Sequence, residues 1–151
     1  MRIGRHFVLS VPADSRALPA NWAEQSRAIL DTAGFSEIAV SPNRVTGKRG
    51  RFWQGALRRD PRTFRHAIDV TGSGLTYTFN SPIPITFSSA DEDVLKAEAR
   101  SFLATLSGTC ADEHELPLAL ARQRATDKKI VITVLFFALL LGLILGLILP
   151  V

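Results

Sequence analysis

Few residues of this chain have the type and spacing that chemistry demands. Cys110 and His114 stand with three residues between them, but zinc needs four ligands, or three and a water, and no second pair lies nearby. Gly47-Lys48-Arg49-Gly50 lacks the glycine spacing and the Gly-Lys-Ser/Thr ending of a phosphate loop, and reads as a hairpin turn. Thr71-Gly72-Ser73-Gly74 is followed by no helix that could present its N-terminus to an anion, so it too reads as a turn. His66 falls on one apolar face with Phe64 and Ile68, the setting of a core or interface histidine rather than a general base, and His6 is remote in sequence. Asp91, Glu92 and Asp93 are explained by the preference of negative charge for a helix start. No triad, metal cluster or paired-carboxylate site emerges, so the sequence predicts a non-catalytic chain with no catalytic, cofactor-binding or metal-ligating residue and no cofactor.

The most unusual polar feature is a basic segment. Arg44, Lys48, Arg49, Arg51, Arg58, Arg59, Arg62 and Arg65 lie together in sequence, opposed only by Asp60. Such a run predicts an interaction surface for a polyanion: anionic lipid headgroups, an acidic protein or, least favoured but left open, nucleic acid. The bland alternative is a solvated basic face with no specific partner. Phe52 and Trp53 sit among these arginines, either at an interface or in the core of a strand.

Hydrophobic periodicity supplies the elements that position these groups. Phe7, Leu9 and Val11 alternate in a first strand that ends at Pro12. Asn21 and Glu24 have capping-box spacing, and Trp22, Ser26, Ile29, Leu30 and Ala33 share one face of a helix over 21–33 closed by Gly34. Ile38 and Val40 mark a second strand, Phe52 to Arg58 a third, Phe64 to Val70 a fourth, and Leu75, Tyr77 and Phe79 a fifth. Short connections between them favour an antiparallel meander, with Ile83, Ile85 and Phe87 at a sheet edge because Pro82 and Pro84 lack N–H donors. Ser89 and Glu92 would cap a second helix carrying Val94, Leu95, Ala99, Phe102, Leu103 and Leu106 on one face and ending at Gly108. The fold class expected is α+β, a small antiparallel sheet with two helices on one face.

Past this domain, expected over 1–108, the reading divides into a linker and basic juxtamembrane segment over 109–129 and a transmembrane helix over 130–151. Pro117 is a suitable first-turn residue for a helix running on into the span. From Ile130 to Val151 there is no charge, and Thr133 is the only hydroxyl. As a helix that run is about 33 Å long, against a hydrocarbon core of about 30 Å. Arg122, Arg124, Lys128 and Lys129 precede it, which by the positive-inside bias places the N-terminal domain in the cytoplasm and the C-terminus across the membrane. A lone cysteine and the absence of a signal-peptide core agree with that side. Ala138, Gly142 and Gly146 recur every four residues and predict a stripe for close helix packing. Together these features lead to the expectation of a tail-anchored, non-catalytic accessory or assembly subunit of a membrane complex. Its partners would be the bilayer and other membrane-protein subunits. The alternative is a membrane-tethered adaptor for nucleic acid, anionic lipid or an acidic soluble partner.

Overall fold

A computed structural model describes residues 2–13, 18–51, 60–109, 112 and 114–148, with the side chains at 130, 134 and 142–148 outside that description. Its elements are β1 (Arg2–Pro12), α1 (Trp22–Thr32), β2 (Ser36–Ser41), β3 (Arg44–Arg49), a 3-10 turn (Pro61–Thr63), β4 (His66–Thr71), β5 (Gly74–Phe87), α2 (Ser89–Leu106) and α3 (Glu115–Ile148). The sheet has five strands in the order β1-β5-β4-β3-β2, and every neighbouring pair is antiparallel. Strands β2 to β5 form the expected meander, and β1 pairs with the last of them.

One face of the sheet is wet and one is covered, as the alternation predicts. Val11, Val45, Ile68, Val70, Leu75, Tyr77 and Phe79 point into a core closed by Leu30 of α1 and by Leu95, Ala99, Phe102, Leu103 and Leu106 of α2. On the wet face short polar groups pair across strands, as in Ser10 Oγ to Thr76 Oγ1 at 3.1 Å. Both sheet-packed helices therefore share one side, and the α+β class with an antiparallel sheet holds.

Several local expectations are corrected. The third strand is Arg44–Arg49, and Gly47-Lys48-Arg49 belongs to it rather than to a hairpin turn. The turn is at Pro42-Asn43, between the paired residues Ser41 and Arg44. The strand expected over 52–58 lies outside the described residues. Asn21 is the N-cap of α1 but makes no side-chain capping bond, so no capping box forms with Glu24. The second box is real but one residue earlier: Ser88 accepts from the Asp91 amide at 3.2 Å, and the Ser88 amide donates to Asp91 Oδ2 at 2.8 Å.

The proline-bearing end of β5 behaves as its chemistry requires. Pairing with β4 stops at Phe79, so beyond it, among the described residues, β5 is bonded to β1 alone. Pro82 and Pro84 lie where no second strand needs a donor. There the ladder skips from His6↔Asn80 to Gly4↔Ile85, leaving residues 81–84 bulged opposite Arg5.

Helix α3 changes the architecture from two layers to three. Its first turns run antiparallel along α2, with Leu116, Ala119 and Leu120 against Val94 and Ala97. At one end of this seam Arg100 is paired with Glu115, and at the other Gln123 Nε2 donates to Asp91 Oδ1 at 3.0 Å. The segment 115–129 of the expected linker is helical and continuous with the apolar run beyond it, as Pro117 in a first turn predicts.

Candidate functional site

The basic segment does not assemble into one free patch among the described residues, because carboxylates meet it, all but Asp60 from outside the segment. Arg44 on the wet face makes a two-pronged contact with Asp69, at 2.9 and 2.6 Å. Lys48 pairs with Glu37, which the bulge in β2 turns outward with φ +52°. Arg62 pairs with Asp60 at 2.8 Å. Arg51 and Arg65 are exposed, while Arg58 and Arg59, like Phe52 and Trp53, lie outside the described residues.

Arg49 goes inward. Period-two alternation puts Val45, Gly47 and Arg49 on the helix-facing side of β3, and the guanidinium lands between α1 and α2. Its Nη2 donates to Glu98 Oε2 at 2.8 Å, its Nη1 to the Ala33 carbonyl at 3.2 Å, and its Cζ lies 4.3 Å from the centre of the Phe35 ring. The same Glu98 oxygen accepts from the Tyr77 hydroxyl at 2.9 Å. Burial, and then the negative charge of Glu98, push the Tyr77 phenol well above its ordinary range.

His66 adjoins this cluster, with ring centres 5.6 Å from Phe35, 5.5 Å from Tyr77 and 4.9 Å from Phe79. Its Nδ1 bonds the Phe64 carbonyl at 2.7 Å, and burial, aided by the nearby Arg49 charge, lowers its pKa to about 4. A histidine so held is neutral at physiological pH, sealed among aromatics, and satisfied on one nitrogen. The cluster joins both helices to the sheet, and its geometry is that of a structural network. Gly50 lets the chain leave it: at φ +86° any Cβ would stand 2.2 Å from the Phe64 carbonyl oxygen.

The feature with a solvent problem to solve is α3. From Val131 to Leu141, Val131, Ile132, Leu135, Phe136, Phe137, Leu139, Leu140 and Leu141 are all exposed. At 100° per residue these positions cover the whole circumference, so no single packed partner face would hide them all. Ala138 is exposed among them, and Gly142 and Gly146 continue the helix in sequence. Counted over the described residues, no helix is long and apolar enough to cross a membrane. The sequence from Ile130 to Val151 holds no charge. Arg122, Arg124, Lys128 and Lys129 are exposed on the turns just before the apolar run.

Three contacts place the exit of α3 in the domain. Gln123 touches Asp91, Arg2 Nε lies 3.5 Å from Glu92 Oε1, and Arg2 is paired with Phe87. The first turn of α2, the start of β1, the end of β5 and the departing α3 therefore share one end of the molecule. The sequence reading missed this grouping because it needs the antiparallel α2–α3 seam, whose signal is the spacing of Leu116, Ala119, Leu120 and Gln123. Cys110 lies outside the described residues, and among those described no group of acids, histidines and cysteines could hold a metal. No family model, curated protein or solved structure matches this chain.

Proposed function

We propose that this chain is a membrane-anchored, non-catalytic accessory or assembly subunit: the apolar half of α3 crosses a bilayer and the α+β domain stands on its cytoplasmic side. The observation that carries the reading is the run of large hydrophobic residues exposed around the full circumference of α3. Water is a poor solvent for such a surface, whereas hydrocarbon removes the conflict without a complementary protein groove. The uncharged sequence to Ile148 and the four cations before it supply the length and the orientation. Each central Leu, Ile, Phe or Val favours insertion by about 0.3–0.6 kcal/mol, so the run gains several.

Two further features support a docking role over chemistry. The partly buried Arg49 and Glu98 and the buried Tyr77 and His66 are occupied in holding the helices to the sheet. The Ala138, Gly142, Gly146 repeat would let a second transmembrane backbone approach closely. The tethered-adaptor alternative draws less support, since Arg44, Lys48, Arg49 and Arg62 are already engaged with carboxylates.

The test is solubilisation of native membranes in mild detergent, followed by native separation and identification of the proteins that travel with the chain. Comigration at constant ratio with other membrane subunits, weakened by Gly142→Leu with Gly146→Leu, is the expected result. Migration alone would overturn the subunit reading, and recovery in the fraction released without detergent would overturn the anchor.

A further inference from the structure

We infer that the end of the domain from which α3 departs, carrying Arg2, Ile3, Arg5 and Ile83, seats on the anionic lipid headgroups of the same leaflet. This rests on α3 crossing the bilayer. Its first support is the stiffness of the connection: α3 is one unbroken helix from its seam with α2 into the apolar run, so the span and the domain share an orientation.

Its second is distance along that helix. From Gln123, beside the first turn of α2, to Lys128 is about 7.5 Å and to Ile130 about 10 Å of helix rise. The headgroup layer adds roughly 5–8 Å to each side of the hydrocarbon, and the surface potential persists for about 8 Å beyond charged lipid at physiological salt. Arg2, at 3.5 Å from Glu92 on that same first turn, thus falls inside the field that attracts juxtamembrane cations.

The third support is the chemistry of the bulge. Ile3 and Ile83 are 68% and 51% exposed, and Arg5 stands opposite the bulged residues 81–84. Ile83 is held between Pro82 and Pro84, two residues with no N–H donor to leave unsatisfied as the segment loses water. An isoleucine at the tip of such a segment, with an arginine across from it, suits the boundary between headgroup and acyl chain. The acids at this end are largely engaged: Asp91 caps α2 and holds Gln123, and Glu92 lies between Arg2 and Lys96. Asp93 on α2 and Asp127 on α3 oppose the contact, and the cations on β1 and α3 outnumber them.

The experiment places the full chain in nanodiscs of phosphatidylcholine alone or mixed with phosphatidylglycerol, and tracks hydrogen exchange of residues 2–5 and of the Ser81 and Ile83 amides. Exchange slowed about fivefold to tenfold in the anionic discs, restored by high salt and by Arg2→Gln with Arg5→Gln, is the expected result. The double variant removes one ion pair, made by an Arg2 side chain that is 67% exposed, and unchanged exchange over 66–79 verifies that it folds. Equal exchange in both discs would overturn the lipid contact while leaving the anchor standing. Failure of the chain to enter discs of either kind would overturn the anchor itself. Protection found only in native membranes would assign this end to an acidic protein neighbour and overturn the inference.

Discussion

Helix α2 is buried on two sides that are built from different materials. Toward the sheet it meets a dense aromatic core, in which Phe79 and Phe87 lie 4.8 Å apart and Phe7 and Phe87 5.1 Å apart. Toward α3 it offers Val94 and Ala97 to Ala119, flanked by the partly buried Leu116 and Leu120, with polar contacts at each end of the seam. Large rings remove much water and fix the domain's stability. Small residues bring two backbones close and, with the end contacts, fix a direction. One side of the helix holds the fold together, and the other aims the apolar helix.

The largest test of this contrast is Phe79→Ala. It should cost about 3–5 kcal/mol, since the neighbouring rings cannot collapse into the space, and denaturant unfolding of the full chain in detergent would register the loss as a lower midpoint. A change at the seam of similar size would erase the distinction between the two sides.

The sheet side also predicts a pH dependence. His66 titrates near 6.5 when unfolded and at about 4 when folded, so between those values the unfolded chain binds a proton that the folded chain refuses. Stability from this residue is complete above about pH 6.5, falls as pH drops through that value, and is down by about 3 kcal/mol below pH 4. Comparing wild type with His66→Phe from pH 7 to pH 4 isolates the effect. The variant should lose that slope, and a slope unchanged by the substitution would assign the acid sensitivity elsewhere.

The smallest effect is expected at the seam. Gln123→Ala removes the bond to Asp91 and should cost about 1 kcal/mol, visible as faster hydrogen exchange over 115–123 with the sheet unaltered. Loss of protection in the sheet as well would show the seam to be part of the core.

Legibility in the sequence divides along the same line. Phe7, Leu9 and Val11, and again Leu75, Tyr77 and Phe79, announce their strands because each inward position is large and apolar. Strand β3 hides because its inward positions are Val45, Gly47 and Arg49, so only one of three looks like core. The Arg49 position becomes intelligible only when Glu98 and Tyr77 arrive from elements far along the chain. The basic segment resembles a surface for the same reason, since Glu37, Asp69 and Glu98 neutralise it from outside its own stretch of sequence. The α2–α3 seam is concealed because only Leu116 and Leu120 of its α3 contact positions are large and apolar, while Ala119 and Gln123 carry little hydrophobic signal. The apolar run of α3 needs no tertiary context, because its pattern is its composition.

Strand β1 is eleven residues long and, among the described residues, stands at the rim of the sheet, bonded to β5 on one side only. A long open rim ordinarily invites a second copy to extend the sheet, and joining two identical strands antiparallel requires a twofold axis perpendicular to them. Because β1 begins at the end where α3 leaves, that rotation would send the two α3 helices in opposite directions. If α3 anchors the chain as proposed, neighbours in one bilayer cannot merge their sheets in this way, and the rim is protected by geometry rather than by charge. Only a strand free of that bilayer, or a chain facing it from an apposed membrane, could pair with β1 antiparallel.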